Sequence, residues 1–339
     1  MPRRLRVTAD RLDALAPRLP SPLQEVADER FARRGVRLLL KRDDLIHPAL
    51  PGNKWRKLAP NLRAAAETGH RTLLTFGGAY SNHLRATAAA GRLLGFATVG
   101  VVRGEELAGR PLNASLARCA ADGMRLHFVS RAAYRRRNDP AWTAGLHDRF
   151  GDFYAIPEGG SNALAVHGCT ELGHELRGRT DVAAVACGTG GTLAGLAAGL
   201  GTYGAEDTYG TSSTSSTSAP GRALGIPVLK GGFLGAEVER LQREAFGGPR
   251  GDWTLDDRFH CGGYARTTGE LDAFAADFAA RHAAVLARDD LGASGEGAHD
   301  GGTDRLDRVY VAKLLFALRT LTVEGSFAPG STVTAVITG

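Results

Sequence analysis

The sequence predicts an α/β protein of two domains, each with a mostly parallel, twisted sheet flanked by helices. The chain has 339 residues, about twice the usual length of a single domain. Hydrophobic residues make up 43% and charged residues 23%, which is the composition of a folded protein and argues against global disorder. Short apolar runs alternate with helical patterns, and this alternation is typical of parallel strands joined by right-handed helical crossovers.

The alternation is regular over the first half of the chain. In order, we expect a strand at 36–41, a helix that begins near Lys54 and ends at Gly69, a strand at 71–78, a helix at 81–95, a strand at 97–104, a helix at 112–123 and a strand at 124–130. Glycine stands at positions 69 and 95, where two of these apolar helical patterns stop, and helices commonly end at glycine.

A second block begins at residue 153, where a strand runs into a glycine-rich turn and then into a helix at 163–177. An apolar strand from residue 181 leads into the loop CGTGGT at 187–192 and a helix of small residues. Two polar, low-complexity segments, 203–221 and 288–305, cannot bury much apolar surface. We expect flexible surface insertions there.

Charge and composition argue against several classes of function. The net charge of +6 comes from dispersed arginines, and the densest cluster, at 131–137, lacks the interleaved aromatic residues of a nucleic-acid platform, so we interpret it as a solvated helix face. No run of about 18 apolar residues and no signal-peptide pattern occurs, so we expect a cytoplasmic chain with neither a membrane nor a nucleic-acid partner. The cysteines lack zinc-site spacing and are expected to be reduced thiols.

Lys54 follows a Pro-Gly-Asn turn at the predicted start of a helix. The helix dipole disfavours a positive charge there, so the Lys54 amine should lose its proton more readily than a free lysine, as an imine-forming amine requires. The alternative is a surface lysine in a basic first turn. Arg56 and Lys57 stand in the same turn, where cations are unfavourable, which suggests that something other than helix stability selected them.

Two strand-to-helix junctions carry residues suited to binding. In the loop at 187–192, glycines allow backbone N–H groups to converge on an anion, so the loop suits a phosphate. Leu193 occupies the third glycine position of a dinucleotide loop, and no P-loop lysine follows, which leaves a phosphate loop of another kind or a purely structural turn. At the other junction, Ser81, Asn82 and His83 are placed either to cap a helix or to face a ligand.

The chain contains six motifs in a fixed order: GNKWRKL, GGAYSNH, EGGSNALAVHG, GTGGTLAGL, GGY and VYVAKLLFAL. In this set it resembles the pyridoxal-phosphate enzymes grouped as 1-aminocyclopropane-1-carboxylate deaminase and D-cysteine desulfhydrase. The resemblance covers about residues 10–339, apart from the two insertions. It implies the two-domain tryptophan synthase β-like fold, known as fold type II, with a large cofactor-binding domain at 1–57 and 163–339 and a small domain at 58–162. It also implies pyridoxal phosphate as cofactor, a small amino-acid substrate and a homodimer.

The resemblance implies cofactor contacts for particular residues. Lys54 would bind the cofactor covalently and, once released by the substrate, act as the base at Cα. Asn82 would hydrogen-bond the cofactor's 3-oxygen, and Thr338 would contact its ring nitrogen. The phosphate would be held by Gly188, Thr189, Gly190, Gly191 and Thr192.

The resemblance also implies which residues contact the substrate. Ser81 and His83 would line the pocket for the substrate carboxylate, next to Asn82. Tyr264 and Tyr310 match family tyrosines that face the substrate, and with Ser81 and the base they would form the catalytic set. For each tyrosine, a capping or packing role is the alternative.

The residue after Tyr310 distinguishes two branches of the family. In the deaminase branch it is a glutamate that keeps the cofactor ring protonated, whereas this chain has Val311; Thr338 matches a hydroxyl residue of the desulfhydrase branch. A neutral hydroxyl gives a milder electron sink, sufficient when a thiolate leaves from Cβ. We therefore expect a D-cysteine desulfhydrase that forms pyruvate, ammonia and sulfide, with the deaminase as the alternative. Tyr80 and Arg308 depart from the family motifs and leave the substrate and its enantiomer open.

Three alternatives lie outside this chemistry. The segment GGSNA at 159–163 nearly matches the nucleophile elbow of a hydrolase, with Ser161 in place but the last glycine missing. His167, Glu171 and His174 share a helical face and could bind a metal, but we interpret them as solvated residues and expect no metal. The third alternative is a binding protein that keeps the fold without catalysis.

Overall fold

The computed structural model describes residues 12–50, 52–201, 221–287 and 306–338. Contacts within the chain divide it into two compact units. Unit 1 comprises Met1–Arg18 and Ile46–Ala165, and unit 2 comprises Leu19–Leu45 and Val166–Gly339. The predicted insertion at 288–305 lies outside the described residues, as does the one at 203–221 apart from Gly221.

The elements are named here in chain order for the described residues. The strands are β1 (Leu23–Val26), β2 (Arg37–Lys41), β3 (Thr72–Gly77), β4 (Ala97–Arg103), β5 (Met124–Val129), β6 (Tyr154–Ile156), β7 (Val182–Cys187), β8 (Arg222–Pro227), β9 (Trp253–Leu255) and β10 (Thr332–Val336). The α-helices are α1 (Glu29–Ala32), α2 (Lys54–Glu67), α3 (Asn82–Leu94), α4 (Ala114–Ala121), α5 (Arg131–Arg135), α6 (Pro140–Phe150), α7 (Ala163–Leu176), α8 (Gly191–Leu200), α9 (Leu234–Phe246), α10 (Gly269–Arg281), α11 (Ala283–Leu286) and α12 (Val311–Glu324).

Unit 1 is built on a parallel four-stranded sheet in the order β5-β4-β3-β6. Side chains alternate between the two faces of a strand, so Leu73 and Leu74 of β3 enter different cores. Leu73 packs with Trp55 and other apolar residues of α2 and α3, whereas Leu74 packs with Tyr134 and Phe153. The sheet therefore holds the starts of α2 and α3, which carry Lys54 and Ser81, on a buried apolar base.

Unit 2 is built on a six-stranded sheet in the order β1-β2-β10-β7-β8-β9, in which β1 pairs antiparallel with β2 and the other pairs are parallel. One core joins the sheet to α1, α10 and α12, and a second joins it to α7, α8 and α9. The loop at 187–192 follows the carboxyl end of β7, and Thr338 lies just beyond β10, the strand that pairs with β7.

The small residues of α8 are required by its packing against α7. Every residue of α8 is buried. A Cβ added at Gly195 would lie 2.4 Å from the carbonyl oxygen of Val166, and one at Gly199 would lie 2.1 Å from that of Thr170. Such distances are far below van der Waals contact, so glycine allows the two helices to approach this closely.

The predicted fold class is confirmed, because both sheets are mostly parallel and flanked by helices. The division into units differs from the predicted domains at Met1–Arg18 and at residues 46–57, which were expected in the large domain and fall in unit 1. Leu50 and Trp55 pack in the core of unit 1 with Leu58 and Leu62, and these contacts place the segment in unit 1. The boundary near residue 165 lies close to the expected one at 163.

Candidate active site

Lys54 is the first residue of α2 and is half-buried. The preceding turn contains Gly52 in the left-handed region, at φ +63°, and Asn53 as the residue before the helix. The Lys54 Nζ donates a hydrogen bond to Asn53 Oδ1 at 3.0 Å. The turn thus presents an amine at a helix start, as the sequence predicts, and the neighbouring amide restrains it.

The basic residues behind Lys54 are buried rather than solvated. Arg56 is 3% exposed and Lys57 is 4% exposed. The Lys57 Nζ donates to the carbonyl oxygen of Gly159 at 3.2 Å and to Ser161 Oγ at 3.1 Å. Lys57 therefore fastens the first turn of α2 to the turn at 158–161. It also accounts for Ser161, whose hydroxyl is buried against an ammonium group rather than presented on a nucleophile elbow.

Ser81 caps α3, because its Oγ accepts a hydrogen bond from the backbone N–H of Leu84 at 3.3 Å. The capping alternative is therefore present in the structure. A cap of this kind uses only the acceptor side of the hydroxyl, so the Ser81 O–H still has a proton to donate to a ligand. Asn82, the first residue of the helix, is half-buried, while Tyr80 is exposed.

His83 is buried, and its hydrogen bonds assign its tautomer. Its Nε2 lies 2.8 Å from Thr75 Oγ1, and the Thr75 hydroxyl donates its single proton to the carbonyl oxygen of Ile156 at 2.8 Å. Thr75 must therefore accept from the His83 Nε2–H, which leaves Nδ1 as an unprotonated acceptor. Within the described residues, Nδ1 is buried and has no hydrogen-bond partner.

The charge state of His83 follows from its surroundings. Burial, and then the positive charges of Lys54 and Lys57, hold the pKa of His83 well below its ordinary value of 6.5. The imidazole is neutral at physiological pH and offers a lone pair. Such an acceptor suits an N–H or ammonium group of a ligand better than the carboxylate that the resemblance assigns to it.

The predicted phosphate loop lies between β7 and α8 in unit 2. Gly190 has φ +76°, a left-handed conformation that favours glycine, and a Cβ at this position would lie 3.0 Å from Val238 Cγ2. The first backbone N–H groups of a helix have no acceptor within the helix, and the helix dipole favours an anion near them. The dipole of α8 therefore favours an anion near Gly191, while the Gly191 N–H itself donates to the carbonyl oxygen of Thr189 at 3.0 Å.

Both predicted tyrosines lie near this loop within unit 2. The Tyr310 hydroxyl is 3.4 Å from the position that a Cβ of Gly188 would occupy. The rings of Tyr264 and Tyr310 meet edge to face, with centroids 6.0 Å apart. Three motifs that are distant in sequence are therefore adjacent: the glycine loop, the GGY turn and the start of α12.

Sequence reasoning missed Lys313, which is 0% exposed on α12. Its Nζ donates to the carbonyl oxygens of His260 at 2.8 Å and Gly263 at 2.9 Å, the turn that precedes Tyr264. Burial lowers the pKa of Lys313. The signal available in the sequence was a single charge inside the apolar run VYVAKLLFAL, because a lysine on the buried face of a helix needs polar partners.

Thr338 and Val311 occupy buried positions in unit 2. Thr338 is 6% exposed beyond the end of β10, and Val311 is 2% exposed as the first residue of α12. The three residues of the alternative metal site are exposed on α7: His167, Glu171 and His174. Among the described residues, no group of three or more His, Cys, Asp or Glu side chains could hold a metal ion.

Comparison with known proteins decides the family. The profile of the family described as pyridoxal-phosphate dependent enzyme matches residues 17–230. The chain belongs to this family. Its cofactor is therefore pyridoxal phosphate, as the resemblance of the motifs predicts. Within the described residues, no helix combines the length and apolar character needed to cross a membrane.

Curated relatives within the family are similar over part of their length. The chain is 33% identical over 183 residues to a bifunctional D-cysteine desulfhydrase/1-aminocyclopropane-1-carboxylate deaminase of Arabidopsis thaliana, covering 49% of this chain and 45% of the relative. It is 35% identical over 211 residues to a nocardicin C-9′ epimerase of Nocardia uniformis subsp. tsuyamanensis, covering 58% of this chain and 64% of the relative. The chain thus spans between 45% and 64% of these relatives. The first relative confirms the predicted resemblance.

A solved structure of a homologue of 1-aminocyclopropane-1-carboxylate deaminase matches nearly the whole chain. Its TM-score is 0.71 at 24% identity, and the alignment covers 99% of this chain and 95% of that one. At this identity the likeness establishes the fold. It agrees with the two mostly parallel sheets described above.

The residues of each unit fit the family's cofactor. In unit 2, a Cβ at Gly190 would lie 3.0 Å from Val238 Cγ2, so glycine keeps this left-handed turn narrow, which suits a loop that holds a phosphate through its backbone. In unit 1, the Lys54 amine is of the kind that condenses with an aldehyde, and His83 Nδ1 is a buried acceptor with no hydrogen-bond partner in the described part of the chain. These observations are independent of the family match.

Proposed function

We propose that the chain is a pyridoxal-phosphate-dependent lyase that eliminates a leaving group from Cβ of a small amino acid. D-Cysteine is the proposed substrate, and pyruvate, ammonia and sulfide are the proposed products. Family membership supports the cofactor, and the similarity to a bifunctional desulfhydrase/deaminase supports the substrate class. The observation that carries the choice of reaction is Val311, an apolar, buried residue directly after Tyr310.

When bound, pyridoxal phosphate withdraws electrons from the substrate Cα and weakens its bond to hydrogen. In this proposal the Lys54 amine takes that proton. The hydrogen bond to Asn53 and the rigid start of α2 keep the amine at one place, and a base held in this way typically contributes about 10²–10⁴-fold in rate.

The remaining contacts divide between the units. We assign the phosphate to the backbone of residues 188–192 and the substrate-facing surface of unit 2 to Tyr264 and Tyr310. In unit 1, the Ser81 hydroxyl has a proton to donate to the substrate carboxylate, because its cap uses only the oxygen lone pair. His83 Nδ1 is assigned to an N–H donor of the ligand, since a neutral acceptor repels a carboxylate.

Val311 favours elimination over ring opening. A valine side chain can neither hold nor share a proton, so it cannot do what the glutamate of the deaminase branch does at this position. Thr338, which is buried beyond β10, is proposed to supply a neutral hydroxyl to the cofactor ring instead. The milder electron sink that results is sufficient when a thiolate leaves from Cβ, because the leaving group itself takes up the electron pair.

A second candidate function is epimerisation of an amino-acid Cα. The similarity to the epimerase of Nocardia uniformis favours it, because epimerisation at Cα and elimination from Cβ can both begin with removal of the Cα proton. The two reactions differ in what happens at Cβ. Elimination requires a leaving group on Cβ, whereas epimerisation returns a proton to Cα and leaves Cβ unchanged.

The test is a substrate panel on purified protein supplied with pyridoxal phosphate. D- and L-cysteine, β-chloroalanine, D-serine and 1-aminocyclopropane-1-carboxylate are scored for keto acid, and the cysteines also for sulfide and for inversion. Sulfide and pyruvate from D-cysteine support the proposal. Turnover of the cyclopropane alone overturns the argument from Val311, and inversion without keto acid selects the epimerase.

Lysine variants test the cofactor assignment separately. Borohydride reduction followed by peptide mapping should place the cofactor on Lys54. Lys54→Ala should lose the visible absorbance of the bound cofactor and at least about 10³-fold in turnover. Lys230→Ala, which removes an exposed lysine of unit 2, should keep both. Light scattering on the same preparations tests the homodimer that the family resemblance implies.

A further inference from the structure

The turn that carries Tyr264 has an uncommon backbone. Gly262 and Gly263 have φ +88° and +136°, a region that glycine adopts without steric strain. Cys261 and Ala265, however, have φ +55° and +56°, a left-handed conformation that side chains with a Cβ disfavour. Strained conformations of this kind persist where surrounding structure imposes them, and they cluster at functional sites.

The group that holds this turn is the ammonium of Lys313. It donates to the carbonyl oxygens of His260 and Gly263, which lie on either side of Cys261 and Gly262. The His260 ring adds a second restraint, since its Nδ1 accepts from the backbone N–H of Gly262 at 2.8 Å. Burial of a lysine costs free energy unless its N–H groups are hydrogen-bonded. The two carbonyls of the turn offset that cost, and the ammonium in turn holds the two carbonyls in place.

The position of Lys313 on its own helix links the two tyrosines. Tyr310 directly precedes α12, and Lys313 stands in the first turn of that helix, three residues later. The same short segment therefore places one tyrosine itself and fixes the turn that carries the other. The edge-to-face contact between the Tyr264 and Tyr310 rings is the result.

We propose that Lys313 is a positioning residue, whose ammonium clamps the turn at 260–265 so that Tyr264 stays against Tyr310. The clamp follows from the contacts within unit 2, whereas its importance for turnover rests on the proposed function, in which both tyrosines face the substrate. Lys313 contacts backbone carbonyls of the turn and acts on the reaction only through the placement of Tyr264.

The test compares Lys313→Met with Lys313→Arg and with the control Lys41→Met. Methionine keeps the length and apolar stem of the side chain but cannot donate, whereas arginine can donate to both carbonyls. Lys41 is likewise buried in unit 2, but its ammonium contacts Ser21 and Glu175. The control thus removes a buried lysine without touching the turn at 260–265.

Hydrogen exchange and trypsin measure the clamp without any substrate. In Lys313→Met, the amides of residues 260–266 should exchange at least about tenfold faster, and trypsin should cut faster after Arg266, which is exposed at the end of the turn. In Lys313→Arg and Lys41→Met, both rates should stay close to those of the unsubstituted protein. Unchanged exchange in Lys313→Met would overturn the clamp.

Kinetics measures what the clamp does. With the cofactor absorbance retained, Lys313→Met should lower kcat by about 10²-fold with a smaller change in KM, and Lys313→Arg should recover much of it. Faster exchange with an unchanged kcat would overturn the positioning role while leaving the proposed function intact. If the unsubstituted protein turns over none of the panel, the proposed function fails, and the exchange rates alone decide the clamp.

Discussion

A buried lysine holds a glycine turn in each of the two units, and each lysine lies three residues after a predicted site residue. In unit 1, Lys57 follows Lys54 and donates to Gly159 and Ser161. In unit 2, Lys313 follows Tyr310 in the same way and donates to the two carbonyls of the Tyr264 turn. In both units, a lysine in the first turn of a helix, α2 or α12, thus fixes a glycine turn by hydrogen bonds.

The two lysines differ in what else their charge reaches. Lys57 lies near His83 and is one of the two positive charges that lower the pKa of that imidazole. Lys313 acts on a turn whose strain lies in non-glycine residues, Cys261 and Ala265. Lys57 therefore sets both the geometry of its turn and the charge state of His83, whereas Lys313 sets only the geometry of its turn.

Replacing Lys57 or Lys313 with methionine should have the largest effect on stability and should show the difference between the two lysines. Lys57→Met removes the hydrogen bonds that the ammonium donates to the Gly159 carbonyl and the Ser161 hydroxyl, at about 2 kcal/mol each, so the free energy of unfolding should fall by about 4 kcal/mol. It should also raise the pKa of His83, because one nearby positive charge is gone. Urea unfolding measures the first effect and an NMR titration of His83 the second.

Lys313→Met is the matched control for that titration. It should destabilise the protein by a similar amount, because it too removes the donor of two hydrogen bonds, yet it should leave the pKa of His83 where it was. A His83 pKa that moves equally in both variants, or in neither, would contradict the distinction between the two lysines.

Alanine at one glycine of each turn should show the next largest effect. Gly160 has φ +67° and Gly262 has φ +88°, so both substitutions force alanine into a left-handed conformation at about 1–2 kcal/mol. A Cβ at Gly160 would also lie 3.0 Å from His83 Cε1, whereas one at Gly262 meets nothing within 4 Å. Gly160→Ala should therefore cost about 1–3 kcal/mol more, as measured by urea unfolding. Equal losses of unfolding free energy in the two variants would show that the His83 ring moves aside for the added methyl group.

The neutral state of His83 should appear as a pH dependence of stability. The folded pKa lies below the unfolded value of 6.5, so below that pH the unfolded chain binds a proton that the folded imidazole does not. Stability from this residue is therefore complete above pH 6.5 and falls as the pH drops toward the folded pKa, by up to about 1.4 kcal/mol per pH unit.

Urea unfolding between neutral and mildly acidic pH measures this dependence. His83→Gln removes the titrating ring but keeps a donor for Thr75, so its stability should fall less on acidification than that of the unsubstituted protein. Lys57→Met should narrow the range of pH over which stability is lost, since its His83 titrates closer to the unfolded value. Identical pH profiles for the His83→Gln variant and the unsubstituted protein would contradict the assignment of a neutral, buried imidazole.

The features predictable from sequence are those with a local cause. The left-handed Gly190 and the helix start after it are both determined within the motif GTGGT, so this strand-to-helix turn could be predicted. Lys54 at the start of α2 follows in the same way from the turn before it. The alternating strands and helices depend on apolar periodicity, which each segment carries by itself.

What sequence could not predict depends on partners that are distant along the chain. The acceptors of Lys313 lie 53 and 50 residues before it, and those of Lys57 lie 102 and 104 residues after it. The tautomer of His83 depends in the same way on a hydroxyl whose proton is taken by Ile156. The place of residues 46–57 in unit 1 depends on distant partners too, because Trp55 packs with Leu73 and Ile156.

The smallest expected effect concerns Ser161, a side-chain acceptor of the Lys57 ammonium. Ser161→Ala removes the hydroxyl that accepts from Lys57 but leaves the Gly159 carbonyl in place, so the free energy of unfolding should fall by about 1 kcal/mol. Ser161→Thr keeps a hydroxyl and should lose less. Because the ammonium keeps its charge in both variants, the pKa of His83 should stay where it is, in contrast to Lys57→Met. A shift of that pKa in Ser161→Ala would mean that the hydroxyl, and not the Gly159 carbonyl, decides where the Lys57 charge lies.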